Sequence, residues 1–252
     1  MKYILTLSYF FLTSYSFIMK KNIHTLNKFN LHIKKNKFIN HYIPKSPNQI
    51  HYDNSLKNNN IDLVFCLGPA GTGKTLFACT HSIKELQNNN YNKIIITRPT
   101  ITIEENIGFL PGDINRKMQP WTIPIFDIFY ETYSKKEIDT LIQNNIIEIA
   151  PLGFMQGRTF KNTFIIADEM QNSTPNQMFM LLTRIGENSK MVITGDPKQT
   201  IHSNNGLNDI IQKLNINYSC EDYRNKDGIS IIHMNYNDIQ RHPLVSKLTK
   251  LY

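Results

Sequence analysis

The sequence predicts an α/β protein in three layers, a mostly parallel sheet with helices on both faces. Three observations predict it. Leu63–Leu67, Lys93–Thr97, Thr163–Ala167 and Lys190–Thr194 are short, almost unbroken apolar runs, as strands buried on both faces should be. Helical patterns alternate with these runs, which is the signature of a sheet built from crossover units. The first run enters a glycine-rich loop, Gly68–Thr75, from which a helical pattern leaves.

The chain of 252 residues has room for one such domain and an appendage. Residues 1–43 read as that appendage and 44–252 as the folded domain. The stretch 1–52 holds Lys2, Lys20, Lys21, Lys28, Lys34, Lys35, Lys37 and Lys45 and no acidic residue, so the whole formal charge of +8 lies there. Net charge therefore gives no evidence of a basic stripe on the domain itself. Ile4–Ile18 is mostly apolar but, at about fifteen residues, falls short of the ~20 that a membrane-spanning helix needs. Two readings stand for the leader. One is a targeting segment: a secretory-type apolar region with small residues at Ser14-Tyr15-Ser16, then a basic, acid-free transit-like stretch. That order resembles the two-part leaders of complex plastids, with Phe17 first after cleavage; the mature chain would have no membrane span and would sit in the stroma. The other is a disordered lysine-rich tail on a cytoplasmic protein, and a start at Met19 would remove the apolar run.

Pro44–Gln49 reads as an extended entry to the domain, with a short helix over Asn48–Lys57. Beyond the loop, Leu76, Cys79, Ile83 and Leu86 fall on one helical face. Arg98-Pro99 ends the second strand, and a long irregular stretch containing Gly108–Asp113 follows. Trp121, Ile125, Phe126, Phe129 and Tyr130 then suggest a helix whose aromatic face packs on the sheet. Ser134 and Glu137 form the ends of a capping box for another helix. Ile146–Ile149 and Ile229–His233 complete the strands. Thr174-Pro175-Asn176-Gln177 opens a helix that buries Met178, Leu181, Leu182 and Ile185 and stops at Gly186. The asparagine clusters Asn58–Asn60, Asn88–Asn90 and Asn144-Asn145 read as loop filler. Cys66, Cys79 and Cys220 are odd in number and widely spaced, which points to free thiols in a reducing compartment and away from a zinc site.

Gly68-Pro69-Ala70-Gly71-Thr72-Gly73-Lys74-Thr75 fits the phosphate-loop pattern. Such a loop wraps a polyphosphate with backbone N–H groups, and the following helix adds its positive end. Lys74 would reach the outer phosphates and the Thr75 hydroxyl would hold Mg²⁺. A second motif, Phe164–Glu169, is an apolar strand ending in two acids, which delivers carboxylates to the carboxyl edge of the sheet. Beside a phosphate loop, Asp168 is expected to bind the Mg²⁺ through water, and Glu169 to polarise the attacking water. A third, Thr194–Gln199, also follows a strand. It reads either as a turn or as a sensor in which Gln199 meets the outermost phosphate, and its place at the same edge favours the sensor.

Gly68–Thr75, Thr97–Pro99, Gly108–Asp113, Gly157–Thr159, Asp168–Asn172, Leu182–Gly186, Gly195–Gln199 and Arg241–Val245, in that order, resemble the PhoH-like family, P-loop ATPases akin to the first RecA-like domain of superfamily one helicases. The resemblance covers about residues 44–252. Met170 stands where that family usually has alanine. The resemblance implies a RecA-like ATPase acting on or near RNA or single-stranded nucleic acid, as a homo-oligomer, often a ring, in some relatives beside a ribonuclease. It also implies that Gln49 reads the adenine edge, which makes ATP the nucleotide; from the residues alone Gln49 reads equally well as a helix-entry residue. Such ATPases need an arginine at the transition state, from a partner protomer or from Arg241 or Arg158, with Arg184 behind them. Two uses of hydrolysis stay open, strand remodelling near Arg98 and an ATP-operated switch that organises a partner. A small-molecule kinase fits the three motifs less well.

Overall fold

The computed structural model describes residues 42–99, 114–200 and 205–240. The leader, the Gly108–Asp113 segment, Arg241–Val245 and the Trp121 side chain lie outside the described residues. The elements are α1 (Pro47–Lys57), β1 (Leu63–Leu67), α2 (Lys74–Gln87), β2 (Lys93–Arg98), α3 (Ile114–Tyr130), α4 (Lys135–Gln143), β3 (Ile147–Pro151), β4 (Thr163–Ala167), α5 (Pro175–Leu182), β5 (Lys190–Gly195), α6 (Gly206–Asn217), α7 (Glu221–Lys226) and β6 (Ile229–His233).

The six strands lie in the order β3-β2-β4-β5-β1-β6, and every pairing is parallel. Side chains alternate between two covered faces, which is why the strands read as unbroken apolar runs. On one face Phe65, Leu67, Ile95, Ile165, Ala167, Met191 and Ile193 form a cluster with Met178 and Leu181 of α5 and Leu207 of α6. Val64, Cys66, Ile94, Ile96, Phe164, Ile166 and Val192, all buried, face the other side. There the Ser55 hydroxyl of α1 meets Ser230 at 3.0 Å, and His81 of α2 lies against the Phe164 ring at 5.8 Å. Each such side chain taken wholly from water contributes about 1.5–3 kcal/mol, so these two faces dominate the stability.

Helix starts follow local chemistry. Ser46 with Gln49, Ser134 with Glu137 and Thr174 with Gln177 form reciprocal capping boxes for α1, α4 and α5, each worth about 1 kcal/mol. Asparagines do more than fill loops: Asn88 and Asn144 cap the ends of α2 and α4. Asn89 and Asn145, one residue on, take the left-handed conformation at φ 59° and 56°, where asparagine substitutes for glycine. At the end of α1, the buried Lys190 ammonium donates to the carbonyls of Leu56 (2.7 Å) and Asn58 (2.9 Å). Burial lowers its pKa to about 8.

Several expectations need correction. The helix α5 ends at Leu182 with Thr183 as its cap, not at Gly186, and Leu182 and Ile185 are only half-buried. A Cβ on Gly186 would fall 2.5 Å from the Phe160 carbonyl oxygen, where the chain crosses at the Phe160–Ile185 bridge, so this glycine serves close approach. The buried face of α2 is Phe77, Ala78, Cys79, His81, Ser82 and Ile83, with Leu76 and Leu86 half-buried. The helix is covered by α1 and α3 as well as by the sheet, which widens its buried arc. In α3, Ile125 and Phe129 are buried but Tyr130 is exposed. The helices α6 and α7 were not expected at all. Among the described residues no helix is long and apolar enough to cross a membrane.

Candidate nucleotide site

The loop after β1 is shaped by backbone. Gly68, Gly71 and Gly73 have φ of 143°, 85° and 91°, where a side chain is strained. A Cβ at Gly68 would also fall 2.4 Å from the Met234 carbonyl oxygen, because β6 runs alongside and Met234 N–H donates to Leu67 O at 2.7 Å. The Thr72 hydroxyl closes the turn on Pro69 O at 2.9 Å, and Ala70 is exposed at its tip. The Lys74 ammonium lies back over the loop, donating to Gly68 O (2.7 Å) and Pro69 O (2.9 Å). These are bonds to carbonyls, which a polyphosphate would outcompete for the cation.

The acids arrive from β4, with β5 lying between it and β1. Asp168 is buried, and its N–H donates to Thr97 O of β2 at 2.9 Å. Its Oδ1 accepts from the Thr75 hydroxyl at 2.8 Å and from the Thr194 hydroxyl of β5. A hydroxyl and a carboxylate oxygen converging in this way are hard oxygen donors of the kind Mg²⁺ takes when phosphates and water complete its shell. Among the described residues no group of three or more His, Cys, Asp or Glu could hold a metal by itself.

Glu169, beside it, stands in the left-handed region at φ 56°. Its Oε2 accepts from Gln171 Nε2, and its Oε1 lies 3.8 Å from Arg98 Nη2. The Gln171 carbonyl oxygen on the same side chain accepts from Asp196 N–H at 3.2 Å, linking the acid pair to the turn after β5. Gly195 leaves room for that side chain, since a Cβ there would fall 2.7 Å from Gln171 Oε1. Gln199 is exposed on this turn, its N–H donating to Asp196 O at 3.0 Å. The two neighbouring thiols, Cys66 and Cys79, are wholly buried, which pushes both well above the usual thiol range.

Lys74, Thr75, Asp168 and Glu169 thus meet at one edge of the sheet, with the Gln199 turn beside them. The Gln49 side chain is bonded within the chain. Its amide donates to Thr72 O (3.1 Å) and Asp238 O (3.0 Å) and accepts from Lys45 N–H (2.9 Å), so it ties α1 to the loop. Reading adenine would require exchanging one of these bonds. Arg158 forms a two-pronged pair with Glu148, at 2.6 and 2.8 Å, which holds that carboxyl at a pKa of about 2. Arg184 donates to Met180 O and Arg158 O. Both arginines are held by these bonds; Arg241 lies outside the described residues. A cavity of about 590 Å³ between α3, α4 and β3, lined by Phe126, Tyr130, Asp127 and Asp139, is separate from the nucleotide site. Thr194 and the double role of Gln171 were missed. Thr194 was visible only as the hydroxyl that opens the third motif; its bond to Asp168 depends on strand order.

A sequence model of the family described as PhoH-like protein matches residues 42–252. A PhoH-like protein of Bacillus subtilis is 42% identical over 208 residues, covering 82% of this chain and 63% of its own length. One from Synechocystis is 41% identical over 191 residues, covering 76% and 56%. The chain therefore spans between about half and two thirds of the length of these relatives. Among solved structures, the DUF1998 helicase MrfA bound to DNA aligns with 76% of this chain and 26% of its own, at 12% identity and a TM-score of 0.44. With a family model matching from residue 42 onward and identities near 40%, and with a P-loop built as described, this chain belongs to the PhoH-like protein family.

Proposed function

We propose that this protein binds ATP with Mg²⁺ and hydrolyses it, and that hydrolysis is coupled to remodelling of RNA or single-stranded nucleic acid. The observation that carries the reading is the 2.8 Å hydrogen bond from Thr75 to Asp168, which joins two motifs 93 residues apart at one point. In this reading the amides from Gly71 to Thr75 take the phosphates, and Lys74 leaves its two carbonyls for the outer pair. Thr75 and Asp168 hold Mg²⁺, which when bound neutralises charge on the phosphate oxygens. Glu169 accepts the proton of the attacking water, and Gln199 senses the outermost phosphate. Arg241, in the same protomer or a neighbouring one of a homo-oligomer, supplies the remaining positive charge.

The test is an ATPase assay on the intact chain and on Glu169→Gln, with and without single-stranded RNA. The variant should bind ATP as the wild type does and turn it over about 10²–10⁴-fold more slowly. Loss of binding together with turnover would assign Glu169 to holding the site, not to the water. A wild-type rate indifferent to RNA would replace the strand-remodelling half of the reading with an ATP-operated switch acting on a protein partner.

A further inference from the structure

We propose that Arg98 is a positioning residue that restrains Glu169 until a nucleic-acid phosphate takes its guanidinium; this rests on the function proposed above. Arg98 is the last residue of β2, whose Thr97 pairs with Ala167 in register, so it emerges at the sheet edge beside the two acids. Its Nη2 lies 3.8 Å from Glu169 Oε1, while the other carboxylate oxygen takes the Gln171 amide. Both oxygens of the residue that would accept a proton from water therefore face protein donors. A general base acts only through a lone pair directed at its water. Lone pairs remain on both oxygens, but the two contacts together fix the direction in which the carboxylate faces, and loss of one lets Glu169 turn toward the water.

Arg98 is the partner built to leave. Arg158, on the neighbouring strand connection, grips Glu148 with two short bonds, and Arg184 has two backbone carbonyls. Among the described residues Arg98 has a single long side-chain contact, and 27% of its side chain remains exposed. Gln171, by contrast, is buried and anchored at its other end by Asp196 N–H. A phosphodiester presents two oxygens in the geometry that a guanidinium fork matches, a better partner than one carboxylate oxygen at this distance. Exchange of Arg98 from Glu169 to the strand frees Oε1 for the water, which makes hydrolysis wait for nucleic acid. No covalent step is involved.

The experiment compares the intact wild type with Arg98→Gln and Arg98→Lys. It measures steady-state ATP turnover with and without a homopolymeric single-stranded RNA, and affinity for a fluorescent ATP analogue. Arg98→Gln should raise RNA-free turnover about fivefold or more, the lower end of ordinary coupling between sites. Its nucleotide affinity should stay unchanged, and RNA should add nothing further. Arg98→Lys, which keeps the charge but loses the fork, should fall between the two. A gain in basal rate is not what damage to the fold produces, and the lysine variant keeps the test valid if the glutamine one folds poorly. RNA-free turnover at or below the wild-type level, or stimulation as large as the wild type's, would overturn the role of Arg98 alone. A wild type that hydrolyses no ATP, or is not stimulated by RNA, would instead overturn the underlying function and the gate with it.

Discussion

Between Leu63 and Gln87 the chain shapes its own site, whereas around Asp168 and Glu169 the site is shaped by other strands. In the first region the loop closes through Thr72 and Lys74 onto carbonyls three to six residues away. Three glycines with positive φ set its path. In the second, the bonds to Asp168 come from Thr194 and Thr75, 26 and 93 residues distant. Glu169 looks to Arg98 on β2. The two regions therefore divide the work of the proposed site. Backbone geometry, closed mostly by side chains of the loop itself, gives a cradle whose path is set locally. Cross-strand side chains give an acid pair whose state can respond to what touches the sheet edge.

The largest effect should come from breaking the cradle. Gly68→Ala places a Cβ 2.4 Å from the Met234 carbonyl oxygen at φ 143°, and strain with overpacking of this kind costs about 3 kcal/mol or more. The expected result in urea titration is a clear fall in the unfolding midpoint, together with loss of nucleotide binding. A smaller and different effect should come from Thr194→Val, which removes one donor from the Asp168 carboxylate while keeping shape. Folding stability should change by only about 1–2 kcal/mol. The Mg²⁺ concentration that half-saturates turnover should rise about tenfold, as happens when an outer partner of a metal ligand is lost. If Thr194→Val abolished nucleotide binding as Gly68→Ala does, the two regions would not be separable.

This division also explains what could be read from sequence. The strand runs, the glycine pattern, the capping boxes at Ser134 and Thr174, and the acid pair are local signals, and the structure has each where a short window puts it. Gln171 and Thr194 act through strand order, and nothing in a short window says that β5 lies between β1 and β4. The helix α6 was hidden differently. Leu207, Ile210, Ile211 and Leu214 have helical spacing and pack on the core, but no cap was recognised before them and the stretch was given no element. Its start is in fact an asparagine cap, Asn205 accepting from Asn208 N–H. Gly186 was misread because a glycine needed for close approach across a bridge looks, in one dimension, like a helix stop.

The effect spread over the widest range of conditions, and so the smallest at any one pH step, joins the two regions. His81 of α2, the helix of the cradle, lies buried against Phe164 of β4, the strand of the acids. Burial lowers its pKa from 6.5 to about 4, while Glu85 at 3.8 Å pulls the other way and loses. The unfolded chain therefore binds a proton between pH 6.5 and 4 that the folded chain refuses. Stability should be unaffected by this group above pH 6.5 and fall as the pH drops toward 4, by roughly 3 kcal/mol over the whole interval. His233, also lowered by burial, adds loss of the same sign, and Glu148, with a pKa of about 2, adds its own only below the ordinary carboxylate range. His81→Gln cancels the first contribution and leaves the other two. Urea titrations at pH 7, 5.5 and 4.5 (values chosen to bracket the ordinary histidine range) should show a shallower decline in the variant. Parallel declines would mean that α2 parts from β4 readily enough to let water reach the ring, and that the cradle and the acid strand are not one rigid layer at this contact.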